Sequence, residues 1–146
     1  MRQTDLLRIF FKKVPLWSHE QIDKAIALYQ ERTKNLVELS NVILSLYHGP
    51  VEYVEDDIAL HSTSDTGQLI TDLIEYMTIH EFLDIHNLIK NFCKERAVKL
   101  VAVAQPIRIA LTGCATSPGI FDMLLLLGKE ESLKRLIALQ KKLLKK

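Results

Sequence analysis

Apolar residues recur at helical spacing along nearly the whole chain, and no segment alternates with period two for long. Thr4 is placed to cap a short helix carrying Leu6, Leu7, Phe10 and Phe11, which Val14-Pro15 ends. Ser18 starts a second helix, with Gln21 at the capping-box position and Ile22, Ala25, Ile26 and Tyr29 on one face. Asn35 caps a third, with Leu36, Leu39, Ile43 and Leu46 or Tyr47 inward, and His48-Gly49-Pro50 stops it. Residues 51–64 resist the pattern: Glu52, Glu55, Asp56 and Asp57 crowd around Tyr53 and Val54, and the segment reads as an extended acidic linker.

The second half repeats the helical theme. Ser64 or Asp65 opens a helix burying Leu69, Ile70, Leu73, Ile74 and Met77, and Thr78 caps another with Phe82, Ile85, Ile89 and Phe92 inward. From Lys99 to Leu111 the pattern predicts two short helices broken near Gln105-Pro106 and closed by Gly113. Ser117 reads as an N-cap with Pro118 at the first helical position, and Gly128 closes that helix. A last helix from about Lys129 buries Leu133, Leu136, Ile137 and Leu144. The expected fold is therefore all-α and multihelical. A first helical subdomain covers 1–50, a linker 51–64 and a C-terminal helical subdomain 65–146.

Composition changes this picture little, but charge does. The 146 residues are 48% apolar and 25% charged, enough for an ordinary core. Net charge is +1, yet the chain carries −7 up to Asn87 and +8 from Leu88 onward. A basic half of that strength favours an anionic partner, nucleic acid first, while a merely solubilising lysine-rich face remains the alternative. Cys93 and Cys114 lie far apart and form no C-x-x-C, which suits a reducing cytosol. No apolar run approaches a membrane span, and charges interrupt any signal-peptide pattern at the N-terminus.

Chemistry finds little purchase. In IHEFLDIH, His80 and His86 stand six residues apart, about 600° of helical turn, and so face nearly opposite ways rather than towards one metal. The acids Glu55 to Asp57 lack calcium-loop spacing. No phosphate-binding glycine loop or nucleophile elbow occurs, and Cys114 has no evident base beside it. The entrance Ser117-Pro118-Gly119-Ile120 is different. A helix start presents unpartnered N–H groups and a positive dipole end, which can meet a phosphate or the acceptor edge of a base. Ile120 would lie against a base face. A well-capped core helix is the competing account of the same residues.

The run VAVAQPIRIALTGCATSPGIFDMLLLLGKEESLKRL resembles the C-terminal end of bacterial-type glutamyl-tRNA synthetases, which are class I aminoacyl-tRNA synthetases. The resemblance is carried by Pro106-Ile107-Arg108, Ala110-Leu111-Thr112-Gly113, Ser117-Pro118-Gly119, Leu127-Gly128-Lys129-Glu130 and Arg135-Leu136. ERTKNLVEL, from Glu31 to Leu39, resembles the first helical part of the same anticodon-binding region. The chain departs from the family in lacking a tryptophan ahead of the helix expected near Thr78, and 51–64 matches no family motif.

The resemblance implies an anticodon-recognition domain that binds the anticodon stem-loop of tRNA-Glu. H-I-G-H-like and K-M-S-K-S-like motifs do not occur. The chain itself is therefore expected not to be an enzyme and to hold no cofactor, while a parent glutamate–tRNA ligase would use ATP and Mg. A cytoplasmic monomer is expected, with no DNA and no membrane partner. By the same resemblance Arg32 stands near the first anticodon base, and Ser117, Pro118 and Ile120 meet anticodon bases. Ser117 replaces a common threonine and keeps the hydroxyl, and Arg108 lies near the anticodon stem-loop. The alternative of another class is a helical protein-interaction domain whose basic face meets an acidic partner.

Overall fold

The computed structural model describes residues 12–50, 52–115 and 118–144. These form seven α-helices and one 3-10 turn, and no strand occurs among them, so the chain is all-α. It divides into two compact units, Met1–Gly49 and Pro50–Lys146. Of the helix expected from Thr4, only its end is among the described residues, where Lys12 and Lys13 are helical ahead of Val14.

In the first unit, α1 (His19–Tyr29) begins with a complete capping box. The Gln21 N–H donates to the Ser18 hydroxyl, and the Gln21 side chain accepts from the Ser18 N–H. Such a cap contributes about 1 kcal/mol. A 3-10 turn (Gln30–Arg32) leads to α2 (Leu36–His48), whose first turn is held by the Asn35 side chain accepting from the Glu38 N–H. Gly49 ends α2 at φ 86°, a conformation that glycine tolerates best. Helices α1 and α2 pack together, with Ile22, Ala25 and Ile26 on one and Leu39, Ile43 and Leu46 on the other buried as the spacing predicts, and Val14 and Trp17 are buried as well. Trp17 meets Tyr47 edge to face at 5.3 Å.

The second unit contains α3 (Glu55–His61), α4 (Thr66–Ile79), α5 (Ile85–Arg96), α6 (Leu100–Thr112) and α7 (Ile120–Leu144). Helix α7 packs chiefly on α4 and α6. Several expectations change here. The segment read as an extended acidic linker contains α3. Its Glu55, Asp56 and Asp57 occupy the first helical turn, where carboxylates complement the dipole, and Ile58 anchors it in the core. Thr78 starts no helix. Its hydroxyl bonds back to the Ile74 carbonyl inside α4, and Asp84 caps α5 by accepting from the Asn87 N–H.

Pro106 does not break α6. The carbonyl deprived of its partner belongs to Ala102, which is exposed and so remains hydrated, while Val103, Ile107, Ile109 and Leu111 hold the helix in the core. Helix α7 begins at Ile120 rather than at Pro118, because the first intrahelical acceptor is the Gly119 carbonyl, bonded by the Met123 N–H at 3.2 Å. Pro118 therefore precedes the helix instead of occupying its first position, and the cap expected from Ser117 lies outside the described residues.

Gly128, at φ 81° and ψ 171°, is non-helical and divides α7 into two helical arms, so one helix ends and the next begins where the pattern puts them. In the second arm the buried face is Ser132, Arg135, Leu136 and Leu139. Leu133 is only half-buried, and Ile137 and Leu144 are exposed, contrary to the apolar pattern. The face is turned because Arg135, 4% exposed, points its guanidinium inward onto the Leu111 carbonyl at 2.9 Å.

Candidate nucleic-acid interface

Arg32 ends the 3-10 turn of the first unit and is fully on the surface. The turn is held by short-range bonds: the Thr33 hydroxyl donates to the Tyr29 carbonyl at 3.1 Å, and the Lys34 N–H donates to the Glu38 carboxylate. Arg32 makes no ion pair with another described residue, so its five donors remain available to a ligand.

The corner between α6 and α7, in the second unit, is held by distant parts of the chain. Gly113 sits at φ 89° with its carbonyl accepting from the Val54 N–H at 2.8 Å. A Cβ at Gly113 would lie 2.7 Å from the Glu52 carbonyl oxygen. The Thr112 hydroxyl lies within donating distance of the Arg108 carbonyl at 2.8 Å and the Cys114 carbonyl at 3.0 Å, and its one proton serves either. The Ala115 N–H donates to the Asp57 carboxylate at 2.9 Å, so the acidic segment is a brace for the corner. Arg135 clasps Leu111 at the C-terminal end of α6, where a cation complements the dipole.

Among the residues expected to read RNA, Pro118 and Ile120 come together here, but both are buried, Ile120 to 3% exposure. The apolar surface that Ile120 was expected to lay under a base is therefore inside the core. Ser117 lies outside the described residues. Gly119 is exposed, and the Asp122 carboxylate stands 3.7 Å from where its Cβ would be, beside the positive end of α7. Arg108 is half-buried on the last turns of α6, its guanidinium donating to the Gln105 side chain at 3.3 Å.

Sequence reasoning missed three groups. Lys129 donates to the carbonyls of Thr78 and His80, satisfying the end of α4, and Arg135 does the same for α6. Arg135 is a buried brace and Lys129 a half-buried one, and a basic count alone credits both to the surface field. The third is an aromatic pair: the His86 ring stacks on Phe121 with centroids 3.8 Å apart. The residues are distant in sequence, and only the fold brings α5 and the first turn of α7 together. His80, by contrast, stacks on Tyr76 and bonds its carbonyl.

The surviving surface charge is smaller than the total of the second half. Arg96 pairs with Asp72, and Lys142 with Glu55 at 2.8 Å. Lys90, Lys94, Lys99, Lys134 and Lys141 are exposed and make no ion pair with another described residue. No three His, Cys, Asp or Glu side chains converge among the described residues, and burial pushes the Cys93 thiol up, away from thiolate character. Burial also raises the Tyr53 phenol, with Lys142 partly opposing it.

The family model described as "Anticodon binding domain" matches residues 3–139. The chain belongs to the anticodon-binding domain family. Curated relatives of this anticodon-binding domain include a glutamate–tRNA ligase of Magnetococcus marinus, 33% identical over 79% of the chain. Another is a glutamate–tRNA ligase of Bradyrhizobium diazoefficiens, 39% identical over 80% of it. In each, the match spans about a quarter of the relative's length. The crystal structure of a glutamate tRNA ligase from Elizabethkingia meningosepticum shares the fold, with a TM-score of 0.85 over 98% of this chain and 30% of that one, at 23% identity. No helix of the described residues is long and apolar enough to cross a membrane.

Proposed function

We propose that this anticodon-binding domain recognises the anticodon loop of tRNA-Glu as the RNA-reading part of a glutamate–tRNA ligase in the cytoplasm. The observation carrying the proposal is the family match over residues 3–139, joined to curated relatives that are glutamate–tRNA ligases. The ATP- and Mg-dependent ligation chemistry would belong to a catalytic part outside this chain. The surface chemistry supports the same reading. Sequence-specific RNA recognition targets unstacked loop bases, and these need exposed planar or hydrogen-bonding groups rather than catalytic ones.

Arg32 is the first such group. Its exposed guanidinium stands on a hydrogen-bonded turn and can address a base edge with two donors at once. At the α6–α7 corner the burial of Ile120 and Pro118 changes their role: they shape the corner, and exposed Gly119 offers backbone. Arg108 is placed as a weaker second contact. The unpaired lysines of the second unit meet phosphates, which position the loop without reading it.

The test is binding of the 146-residue chain and its Arg32→Ala variant to tRNA-Glu transcripts altered at one anticodon base at a time. Wild type should prefer the native anticodon, and Arg32→Ala should lose discrimination at the first base more than overall affinity. Arg32→Lys should not restore it. Affinity should fall with salt by about 0.7 log units per log unit for each single-strand phosphate contacted. Binding indifferent to the anticodon would overturn the proposal and favour a protein-interaction domain with a basic face.

A further inference from the structure

The His86–Phe121 pair has features that core packing leaves unexplained. Phe121 lies in the first turn of α7, directly after the Gly119–Ile120 entrance, and is half-buried. His86, in the first turn of α5, is exposed although its ring is stacked flat on Phe121, with an interplanar angle of 27°. One face of the imidazole is thus backed by an aromatic ring, and the residue still presents surface to solvent. Leu125, one turn beyond Phe121, is 47% exposed and extends the apolar rim on the same side of α7.

The charge beside this pair is arranged to match. Lys90 and Lys94 follow His86 at four-residue steps, so the three share one face of α5, with about 6 Å of rise between successive members. Both lysines are exposed and make no ion pair with another described residue. An exposed ring backed by a second ring, next to a row of exposed cations, suits what single-stranded nucleic acid requires: a flat surface for a base and charge for its backbone. An acidic peptide would use the lysines but has no need of the ring.

We propose that His86, backed by Phe121, is a stacking platform for one unstacked base of the RNA loop, and that Lys90 and Lys94 hold the phosphates flanking that base. The proposal rests on the anticodon reading and supplies the planar contact that buried Ile120 does not provide. His86 is a binding residue here, with Phe121 positioning its ring.

The experiment titrates the chain with anticodon stem-loops of tRNA-Glu carrying the fluorescent purine analogue 2-aminopurine at one loop position at a time, since stacking quenches its emission. Wild type should quench one position strongly. His86→Ala should abolish that quench and weaken binding about fivefold or more, whereas His86→Phe should keep both, because a ring remains. Lys90→Ala should weaken native and anticodon-substituted loops alike and reduce the salt slope by about 0.7. Because His86 is exposed, its variants should melt with wild type, which circular dichroism checks. If His86→Ala binds and quenches as wild type does while anticodon substitutions still weaken binding, the platform is wrong and the anticodon reading stands. The platform is equally wrong if His86→Phe behaves like His86→Ala. If wild type ignores the anticodon, both proposals fall together.

Discussion

The Gln30–Arg32 turn and the corner between α6 and α7 both join helices, and they are held in opposite ways. The first is tied within itself: Thr33 to Tyr29, Lys34 to Glu38, Asn35 to Glu38. The second is tied by residues far away in the chain, with Val54, Asp57 and Arg135 all reaching it. The first exposes its charged side chain, while the second buries Pro118 and Ile120. A turn tied by bonds among near neighbours can display a long side chain, because those bonds call on no distant part of the chain. A corner braced from three directions has its side chains committed inward, and what it offers a ligand is backbone and whatever its neighbours place beside it.

Breaking the braced corner should be the costly experiment. Ile120→Ala removes a side chain that is 3% exposed, and a loss of about 2–5 kcal/mol in urea unfolding is expected. An Ile120→Ala protein with wild-type stability but altered anticodon preference would return Ile120 to the role of base contact. Gly113→Ala comes next. It forces a Cβ to 2.7 Å from the Glu52 carbonyl at a backbone angle that L residues rarely adopt, for about 2–4 kcal/mol. A thermal melt reads this, and a shift below about 1 kcal/mol would mean that Glu52 yields easily. Arg32→Ala, in the locally closed turn, should change stability by no more than about 0.5 kcal/mol. A larger loss by urea unfolding would show that the turn depends on the guanidinium after all and would narrow the contrast between the two regions.

Most of the fold was legible because most of it follows from local rules. Ser18 with Gln21, Asn35 and Gly49 mark helix ends by chemistry contained within a few residues, and the structure has them where the pattern puts them. The failures are places where a distant partner decides. Pro106 remains inside a helix because Ala102 happens to face water, and the last helix turns its face because Arg135 has a carbonyl to hold. Acids at 55–57 resemble a solvated linker until the helix behind them and the Ala115 N–H in front are known. The candidate site divides similarly. Arg32, singled out by its motif, is exposed, as a reader of RNA needs to be. Ile120, expected at the surface, is buried, because spacing alone does not say which apolar residue at a helix entrance is covered. The role proposed for His86 was not legible, since it depends on Phe121 on another helix.

The Ala115–Asp57 bond and its companions also bear on what can be transplanted. A segment closed by its own bonds, such as 29–38, carries the information for its shape and is a reasonable insert for a foreign scaffold. The α6–α7 corner is not such a cassette. Excised with only its flanking helical turns, it would leave behind Val54, Asp57 and Arg135, and with them the hydrogen bonds that set the path of its backbone. The smallest portable piece that keeps this corner in shape must run from the residues just before α3 through the second arm of α7, which is nearly the whole second unit.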